Sequence, residues 1–352
     1  MKLKKTTDST TDRLQCSVLW HFQTQEGFNN LCVDTVLRPK GLGIITGGED
    51  GIIRIYEISS HTPSAEPQAC VETKGGPIQC VAAHNVTRFG QNDLMTADSQ
   101  GTLTVVCGQQ ILSRQSLASH ALTCLQVQED GRGYLEIVTG TERGLITACQ
   151  ASSQLWTMNL NDIVKVPTAP VSVRCLLGVE LPDSHGHNHH YMLASDNMRR
   201  LHLILHGHLV MSLSVPAVIT AMAQGAFFPA SQLGPAGNPG SGAGDSKQVA
   251  LGAANGSIYI LYNMSVTAEE VARAESPITH LASLSLPDNP LDLLLCAGHF
   301  KMLSVYRQGE LAYKHATSDW VNSVVTADVD GDGVNEVVIG CLDKTVTALK
   351  FS

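Results

Sequence analysis

Short runs of alternating apolar and polar residues recur along the whole chain, separated by turns rich in Gly, Asp and Asn. The runs IIRIYEI, TLTVV, SIYILY and TVTALKF all show this period of two. The period is typical of a β-strand with one buried face, because successive side chains point to opposite sides of a sheet. The pattern therefore predicts an all-β chain built from many short strands.

Copies of one unit of roughly 45 residues can be aligned along the sequence. Seven segments begin the first strands of these copies: NLCV (30–33), IQCV (78–81), LTCL (122–125), VRCL (173–176), ITAM (219–222), ITHL (278–281) and VNSV (321–324). The fourth position is apolar in every copy, and the third is small in every copy except that of His280. We expect crowding near a central axis to favour small side chains at the third position.

The second and third strands of each copy share a small residue and a turn. The small residue recurs at Gly47, Ala97, Gly140, Ser195, Gly252, Ala297 and Gly340. The turn position is Gly51, Gly101, Gly144, Arg199, Gly256, Lys301 and Lys344. Glycine predicts a tight hairpin with positive φ. The three copies without glycine therefore require a different turn or a strained backbone.

Three or four short strands per ~45-residue repeat are typical of a β-propeller blade, and a β-sandwich would not repeat one phrase so often. The last copy reaches Ser352 after three strands, so we predict that CSVLWHFQ (16–23) supplies its fourth strand and closes the ring. The predicted fold is all-β: a single seven-bladed β-propeller of four-stranded blades over residues 15–352, after a disordered N-terminal tail at residues 1–14.

Two insertions interrupt the repeat. Residues 229–246 are rich in Pro, Gly and Ser, and residues 182–191 expand the fourth unit between its first two strands. We predict that both are flexible surface loops. Helix-forming residues in VTAEEVARA (266–274) predict a turn of helix between blades 5 and 6.

Composition narrows the classes of partner. The formal net charge of −9 disfavours nucleic acid and anionic membrane surfaces, which require clustered Lys and Arg. The aromatic content of 5% gives little support for a small-molecule pocket. The ten cysteines form no CxxC pair, and most lie in apolar runs, so we expect buried thiols in a reducing compartment. With no secretory signal pattern in the N-terminal residues, we expect a cytoplasmic protein.

One acidic loop has the spacing of a metal site. Carboxylates at Asp328, Asp330, Asp332 and Glu336, with the backbone carbonyl of Val334, match an oxygen cage for a hard cation. We predict one structural Ca²⁺ site, with Mg²⁺ as another candidate ion. The alternative is a metal-free loop whose acids accept hydrogen bonds from backbone N–H groups.

Other polar clusters are interpreted as structural. The segment QEDGRGYLE (128–136) keeps Glu136 and the glycines of the acidic loop but not its acid series. The imidazoles of His185, His187, His189 and His190 are expected at a solvated hairpin tip, with no carboxylate nearby. Asp98 and Asp196 occupy matching turn positions and are interpreted as turn acids. We expect Trp20, Trp156 and Trp320 to pack between blades, and an exposed one to anchor a partner.

No GxSxG, Walker-type or HExxH motif occurs, so we expect no enzyme. The alternative of another class is a propeller enzyme whose catalytic groups meet in the axial funnel. For either class, the sequence marks no catalytic residue and no cofactor-binding residue apart from the acidic loop.

The acidic loop resembles the calcium loop of FG-GAP repeats, with Glu336 where those repeats usually have Asp, while ITGGEDGIIRIYEI resembles a WD40-type blade. The mixture is similar to the FG-GAP/WD40-like intracellular propellers of the KICSTOR complex (kaptin and integrin-alpha FG-GAP repeat-containing protein 2) and of the BBSome. This resemblance implies a non-catalytic scaffold subunit with protein partners. A KICSTOR-like role in TORC1 nutrient signalling at the lysosomal surface is the first expectation, and a BBSome-like role in ciliary trafficking is the second.

Overall fold

The computed structural model describes residues 14–37, 41–130, 132–164, 169–183, 186–233, 247–287 and 289–352. Over these residues the chain forms seven antiparallel sheets, each of which is one blade. The seven-bladed propeller predicted from the repeats is confirmed. Residues 1–13 of the predicted tail and residues 234–246 of the second predicted insertion lie outside the described ranges.

The strands follow the chain from the inner edge of each blade outward, except that β1 (Cys16–Gln23) belongs to the last blade. Blade 1 contains β2 (Phe28–Leu37), β3 (Gly41–Gly48), β4 (Ile52–Ser59) and an interrupted outer strand, β5 (Thr62–Pro63) with β6 (Ala69–Glu72). Blade 2 contains β7 (Ile78–His84), β8 (Asp93–Asp98), β9 (Thr102–Cys107) and β10 (Gln110–Ser116). Blade 3 contains β11 (Leu122–Glu129), β12 (Leu135–Thr141), β13 (Leu145–Cys149) and β14 (Gln154–Asn159), followed by the short helix α1 (Leu160–Ile163).

Blade 4 contains β15 (Val173–Pro182), β16 (Asn188–Asp196), β17 (Arg200–Leu205) and β18 (His208–Ser214). Blade 5 contains β19 (Ile219–Gly225), a 3₁₀ turn (Ala230–Gln232), β20 (Gln248–Ala253), β21 (Ser257–Tyr262), β22 (Ser265–Val266) and β23 (Ala272–Arg273). Blade 6 contains β24 (Ile278–Leu284), β25 (Leu293–Gly298), β26 (Phe300–Arg307) and β27 (Glu310–Ala316). Blade 7 contains β28 (Val321–Ala327), β29 (Glu336–Cys341), β30 (Thr345–Phe351) and β1.

The ends of the chain meet in blade 7, as predicted. Strand β1 pairs antiparallel with β30 from Cys16 opposite Phe351 to Gln23 opposite Thr345. The backbones of Gln15 and Ser352 also exchange two hydrogen bonds, at 2.9 and 3.1 Å. Because one sheet contains strands from both ends of the chain, the ring closes by strand pairing.

The predicted helix at residues 266–274 is wrong. The segment instead follows the open edge of β21, where Thr267 N–H donates to Ile260 O at 2.9 Å and Val271 N–H donates to Ile258 O at 2.8 Å. Those backbone hydrogen bonds outweigh a helical propensity of a few tenths of a kcal/mol per residue. In the other predicted loop, residues 188–191 belong to β16 and Pro182 ends β15, so the described part continues the β15–β16 hairpin.

The apolar core is divided among the joints between blades. Seven clusters of buried side chains are present, and each contains residues of two adjacent blades. The cluster between blades 7 and 1 includes Trp20, Phe28, Leu31, Ile44 and Tyr56. Each blade therefore buries its two faces only by packing against both neighbours.

The recurring small residue is explained by this packing. A Cβ atom on Gly140 would lie 2.7 Å from Val173 Cγ1, and one on Gly252 would lie 2.8 Å from Ile278 Cγ2. Val173 and Ile278 are the first residues of the inner strands of the next blades. The first residue of each inner strand thus packs over the small residue of the preceding blade.

The same packing corrects the alignment of the first unit. In six blades the aligned third residue pairs with the small residue of the second strand, but in blade 1 Gly47 pairs with Asn30 and not with Cys32. A Cβ atom on Gly340 would meet Phe28 Cε2 at 2.6 Å, so Phe28 is the first residue of this unit. The shift of two residues preserves the alternation of faces, which is why hydrophobicity did not reveal it.

The hairpin turns follow the prediction. Gly51, Gly101, Gly144 and Gly256 have φ between +74° and +85°. Arg199 and Lys344 adopt the same left-handed region, at +58° and +74°, and therefore accept backbone strain. In blade 6 the turn is different, because Gly298 pairs with Phe300 and Lys301 lies within β26.

Hydrogen bonds from side chains also link the inner strands of adjacent blades. The amides of Asn322 and Asn29 donate to Phe28 O at 2.6 Å and to Ile78 O at 2.9 Å. The hydroxyl of Thr220 donates to Ile278 O at 2.5 Å. In each case, the donor is the second residue of one inner strand and the acceptor is the first residue of the next.

Four thiols lie at or beside the inner edge of the ring. Cys80 Sγ donates to Thr123 O at 3.4 Å, and Cys175 Sγ contacts Ile219 O at 3.9 Å, each across a joint between blades. Burial raises the pKa of Cys124 to about 11 and that of Cys175 to about 12. Among the described residues, all ten cysteines are free thiols. These buried cysteines act as small, weakly donating core residues, as expected from their apolar surroundings.

We predict that Gly140→Ala destabilises the protein by about 1–3 kcal/mol, because the new Cβ overlaps Val173 across the joint between blades 3 and 4. The matched control is Gly27→Ala, since a Cβ on Gly27 meets nothing within 4 Å. Chemical unfolding monitored by tryptophan fluorescence measures both. Equal stability of the two variants would contradict the packing explanation.

We predict that His280 makes the fold sensitive to acid. Burial, with a contribution from His299, lowers the pKa of His280 to about 4 from a model value of 6.5. The unfolded chain therefore binds a proton first, and the stabilisation present above pH 6.5 is lost as the pH falls from 6.5 towards 4.

His280→Ser introduces the residue that blade 7 carries at this position, Ser323. Between about pH 7 and about pH 5 we expect the parent to lose about 1–2 kcal/mol more than this variant does. Urea unfolding at a series of pH values tests it, and parallel pH profiles of the two proteins would refute the assignment.

Candidate functional site

The acidic loop joins β28 to β29, and its first aspartate organises it. Asp328 Oδ1 accepts hydrogen bonds from Gly331 N at 2.7 Å and Asp332 N at 3.1 Å, while Oδ2 accepts one from Gly333 N at 2.9 Å. The two glycines have φ of +79° and +88°, a region that a side chain would strain. Asp328 thus satisfies three backbone donors of a sharply bent segment.

The next two aspartates each divide their oxygens between the loop and its surroundings. Asp330 Oδ1 accepts from Asp332 N at 3.2 Å, and Asp332 Oδ1 accepts from Val334 N at 2.9 Å. Carboxylate oxygens of Asp328, Asp330 and Asp332 lie within 4.8 Å of one another. Over the described ranges, this is the one group in which at least three His, Cys, Asp or Glu side chains come so close.

A lysine that the sequence analysis did not consider lies among these carboxylates. Lys350 Nζ donates to Asp330 Oδ2 at 2.5 Å and to Asp332 Oδ2 at 2.6 Å, and it lies 3.1 Å from Glu336 Oε1. Its hydrogen bond lowers the pKa of Asp332, and the three carboxylates raise the pKa of Lys350 above its usual range. The loop therefore contains its own cation, supplied from β30.

Glu336 has a role that recurs in other blades. It is fully buried at the start of β29, and its Oε2 accepts from Val329 N at 2.9 Å. Asp93 and Gln248, at the equivalent places in β8 and β20, accept from the backbone N–H groups of Thr87 and of Phe227 in the same way. The ninth position of the predicted metal loop is thus an anchor for the loop between the first and second strands.

The oxygen donors would suit Ca²⁺, which takes roughly six to eight oxygen ligands at about 2.3–2.6 Å. The ammonium group of Lys350 does not suit it, because a divalent ion bound to Asp330 and Asp332 would have to displace a cation already paired with both. Val334, the predicted carbonyl ligand, contributes its N–H to the turn. With Lys350 in place the residues do not fit the ion, and the calcium site remains a prediction.

The shorter relative of this loop, at residues 128–136, is a turn. Asp130 Oδ1 accepts from Arg132 N at 2.9 Å and from Tyr134 N at 2.7 Å. Glu136 is buried and accepts from Trp156 Nε1 at 2.6 Å and from Gln128 Nε2 at 2.7 Å. These contacts support the structural interpretation of the segment.

The histidine cluster differs from its description in the sequence analysis. His185 lies outside the described ranges. His187 Nδ1 and His189 Nε2 lie 3.7 and 3.4 Å from Asp183 Oδ2, and His190 Nε2 lies 4.0 Å from Glu180 Oε1. The expectation that no carboxylate is nearby was wrong, because pairing of β15 with β16 brings acids and imidazoles of the hairpin together.

Asp98 and Asp196 are turn acids, as predicted. Asp98 Oδ1 accepts from Gln100 N and Thr102 N, and Asp196 Oδ1 accepts from Met198 N and Arg200 N, all at 2.8–2.9 Å. Their matching positions reflect matching turns between second and third strands.

Asp196 also belongs to a Ser–His–Asp arrangement that the sequence analysis missed. His202 is fully buried, with Nε2 3.0 Å from Asp196 Oδ2 and Nδ1 2.8 Å from Ser212 Oγ. His202 and Ser212 are direct partners in the β17–β18 register, so the bond crosses neighbouring strands. We interpret the arrangement as structural, because a buried imidazole requires partners for both nitrogens.

A pocket of about 380 Å³ lies elsewhere, at the joint between blades 2 and 3, and is lined by residues that include Arg88, Phe89, Leu135 and Gln150. Arg88 is its one ionisable lining residue, and Arg88 is paired with Glu129 at 3.3 Å. The lining offers no nucleophile paired with a base, so it gives no support to catalysis there.

The three tryptophans divide as anticipated. Trp20 is buried between blades 7 and 1, and Trp156 packs between blades 3 and 4. Trp320 is exposed, with its ring stacked on His299 at a centroid distance of 5.0 Å, and its carbonyl accepts from Leu342 N at 3.0 Å. We refer to Trp320, His299 and Leu342 as the Trp320 patch.

The Trp320 patch and the acidic loop lie on opposite faces of the ring. In a four-stranded antiparallel blade, turns between the second and third strands share a face with the connection to the next blade. His299 and Leu342 lie in such turns, and Trp320 lies in the connection from blade 6 to blade 7. The loop from β28 to β29 emerges on the other face.

In the part of the chain that the structure describes, no helix combines the length and apolar character needed to cross a membrane.

Comparison with known proteins identifies the fold and not a family. No protein-family model matches the chain, and no curated protein matches it. Solved structures do match. BBS1N in complex with ARL6DN, soaked with lead, is 10% identical with a TM-score of 0.68, over 94% of this chain and 95% of that one.

The same complex soaked with mercury is 11% identical with a TM-score of 0.69, over 97% of this chain and 98% of that one. The WD40 beta propeller domain of Doa1 is 11% identical with a TM-score of 0.64, over 96% and 97% of the two chains. At these identities the likeness concerns the fold alone. The chain is thus similar over nearly its whole length to known propellers.

Proposed function

We propose that this protein is a non-catalytic scaffold that holds other proteins of a multiprotein complex on the faces of its ring. The observation that carries the proposal is the Trp320 patch, an aromatic and apolar surface on a rigid scaffold. Trp320 is 44% exposed and Leu342 is 52% exposed. Tryptophan is among the residues that most often dominate binding energy at protein interfaces.

The surroundings of the patch suit a protein partner. Lys301 Nζ pairs with Asp319 Oδ1 at 3.1 Å beside Trp320, which places a charged rim next to the apolar centre. An apolar centre within a polar rim is the usual organisation of such interfaces. The net charge of −9 supports a protein partner over nucleic acid or an anionic membrane.

The solved complex of BBS1N with ARL6DN supports the general idea, because a propeller similar to this chain binds a protein there. It does not identify the partner here, since 10–11% identity reflects the fold. We propose a cytoplasmic complex with a KICSTOR-like role in nutrient signalling, recruited to the lysosomal surface. The second candidate is a BBSome-like role in ciliary trafficking at the cilium base, which the BBS1N likeness favours only at the level of fold.

We predict that Trp320→Ala combined with Leu342→Ser lowers recovery of co-purifying proteins at least about tenfold, because the apolar centre of the interface is lost. The measurement is affinity purification of the tagged protein from cells, followed by mass spectrometry. Stability should change by less than about 0.5 kcal/mol, since both side chains are exposed.

The matched control is Leu311→Ser, an exposed apolar residue of the outer strand β27, 48% exposed, which should leave recovery unchanged. KICSTOR or BBSome subunits among the recovered proteins would decide between the two candidate complexes. Absence of any stable partner, together with turnover of a glycan by the purified protein, would overturn the scaffold in favour of the axial-funnel enzyme.

A further inference from the structure

We propose that Lys350 is a tethered replacement for the metal ion of the acidic loop, so that the loop braces blade 7 without a bound cation. The geometry that motivates this is the position of Nζ among Asp330, Asp332 and Glu336, at 2.5, 2.6 and 3.1 Å. The inference is independent of the scaffold function, because it concerns how one loop is held.

The carboxylate oxygens of the loop already have partners. Both oxygens of Asp328, Asp330 and Asp332 accept a hydrogen bond from a backbone N–H group or from Lys350. Glu336 Oε2 accepts from Val329 N, and Glu336 Oε1 faces Lys350 as an ion pair outside hydrogen-bond geometry. The arrangement is thus complete in hydrogen bonds and in opposite charge without a further ion.

The other blades act as internal controls. The β29–β30 register continues beyond Val337 opposite Leu349 to place Lys350 across from Glu336. The residues at this place in blades 1 to 6 are Glu57, Cys107, Gln150, Leu205, Tyr262 and Arg307. The one lysine therefore occurs in the one blade with three aspartates in its first loop. That pairing within a repeat indicates that the lysine is matched to the acids.

The position of the brace matters for ring closure. Lys350 is paired in the β30 ladder with Ser17 of β1, the strand that completes blade 7. Its side chain connects this C-terminal strand to the loop that follows β28. A covalently attached ammonium group is present at all times, whereas an ion is present only in proportion to its concentration. The joint between the chain ends would therefore hold at any calcium level.

The test compares thermal unfolding of the parent and of Lys350→Met with EDTA and with millimolar CaCl₂. We expect the parent midpoint to be unchanged by calcium. Without calcium Lys350→Met should melt about 2–5 °C lower, because three carboxylates lose their cation. With calcium it should recover most of that loss, because removal of the ammonium group leaves an oxygen cage open to the ion.

Two further variants make the result specific. Lys314→Met removes an equal charge from a lysine paired with the single carboxylate of Glu275 at 2.6 Å, and it should not respond to calcium. Lys350→Met with Asp330→Asn should lose the recovery. Calorimetric titration of the parent with CaCl₂ applies even if Lys350→Met fails to fold.

Calcium binding by the parent, or a calcium-dependent rise in its melting midpoint, would overturn the proposal and restore the calcium site predicted from the sequence. A folded Lys350→Met that ignores calcium would also overturn it, because the lysine would then not stand in place of an ion.

Discussion

The structure depends on a β-bulge that recurs in every inner strand. In all seven blades the register between the first and second strands shifts after the first residue of the inner strand. A bulge leaves one residue outside the ladder, so its carbonyl is free to accept from elsewhere. At several joints the donor is a side chain of the preceding blade, such as Asn322 or Thr220. The apolar side chain of the same bulged residue fills the space over a glycine of that blade. One local irregularity thus provides both the polar and the apolar contact between neighbours.

Much of this architecture could be predicted because it is local and repeated. A small residue and a hairpin glycine at fixed spacing are visible in a single sequence, and so are the missing fourth strand and its replacement by residues 16–23. The register of blade 1 could not be obtained in this way. NLCV and the correct start at Phe28 have the same alternation of faces, and only the contact of Phe28 with Gly340 distinguishes them. Hydrophobic pattern determines which face is buried, while packing between blades determines the register.

The acidic loop shows the opposite limit. Its spacing correctly marked Asp328, Asp330 and Asp332 as close neighbours, because those residues are close in sequence and the glycines force a bend. Lys350 was invisible to the same reasoning, since it lies on another strand and one lysine at the end of a strand has no distinctive spacing. His202 and Ser212 escaped notice for the same reason, because they come together only through the β17–β18 register. Motif spacing reports which acids can meet, but it does not report the cation that they meet.

Most of the conspicuous polar chemistry of this chain is used to hold its own loops. Asp98 and Asp196 cap turns, Glu336 and Asp93 anchor loops, and Lys350 neutralises acids. Such residues leave little for a substrate, which is consistent with function at the surface. The Trp320 patch differs because its aromatic ring remains exposed although seven interior clusters offer burial. It also spans the joint between blades 6 and 7, next to the blade in which the chain ends meet. A partner bound across that joint would favour the closed ring by mass action, so that recognition and closure would stabilise the same state.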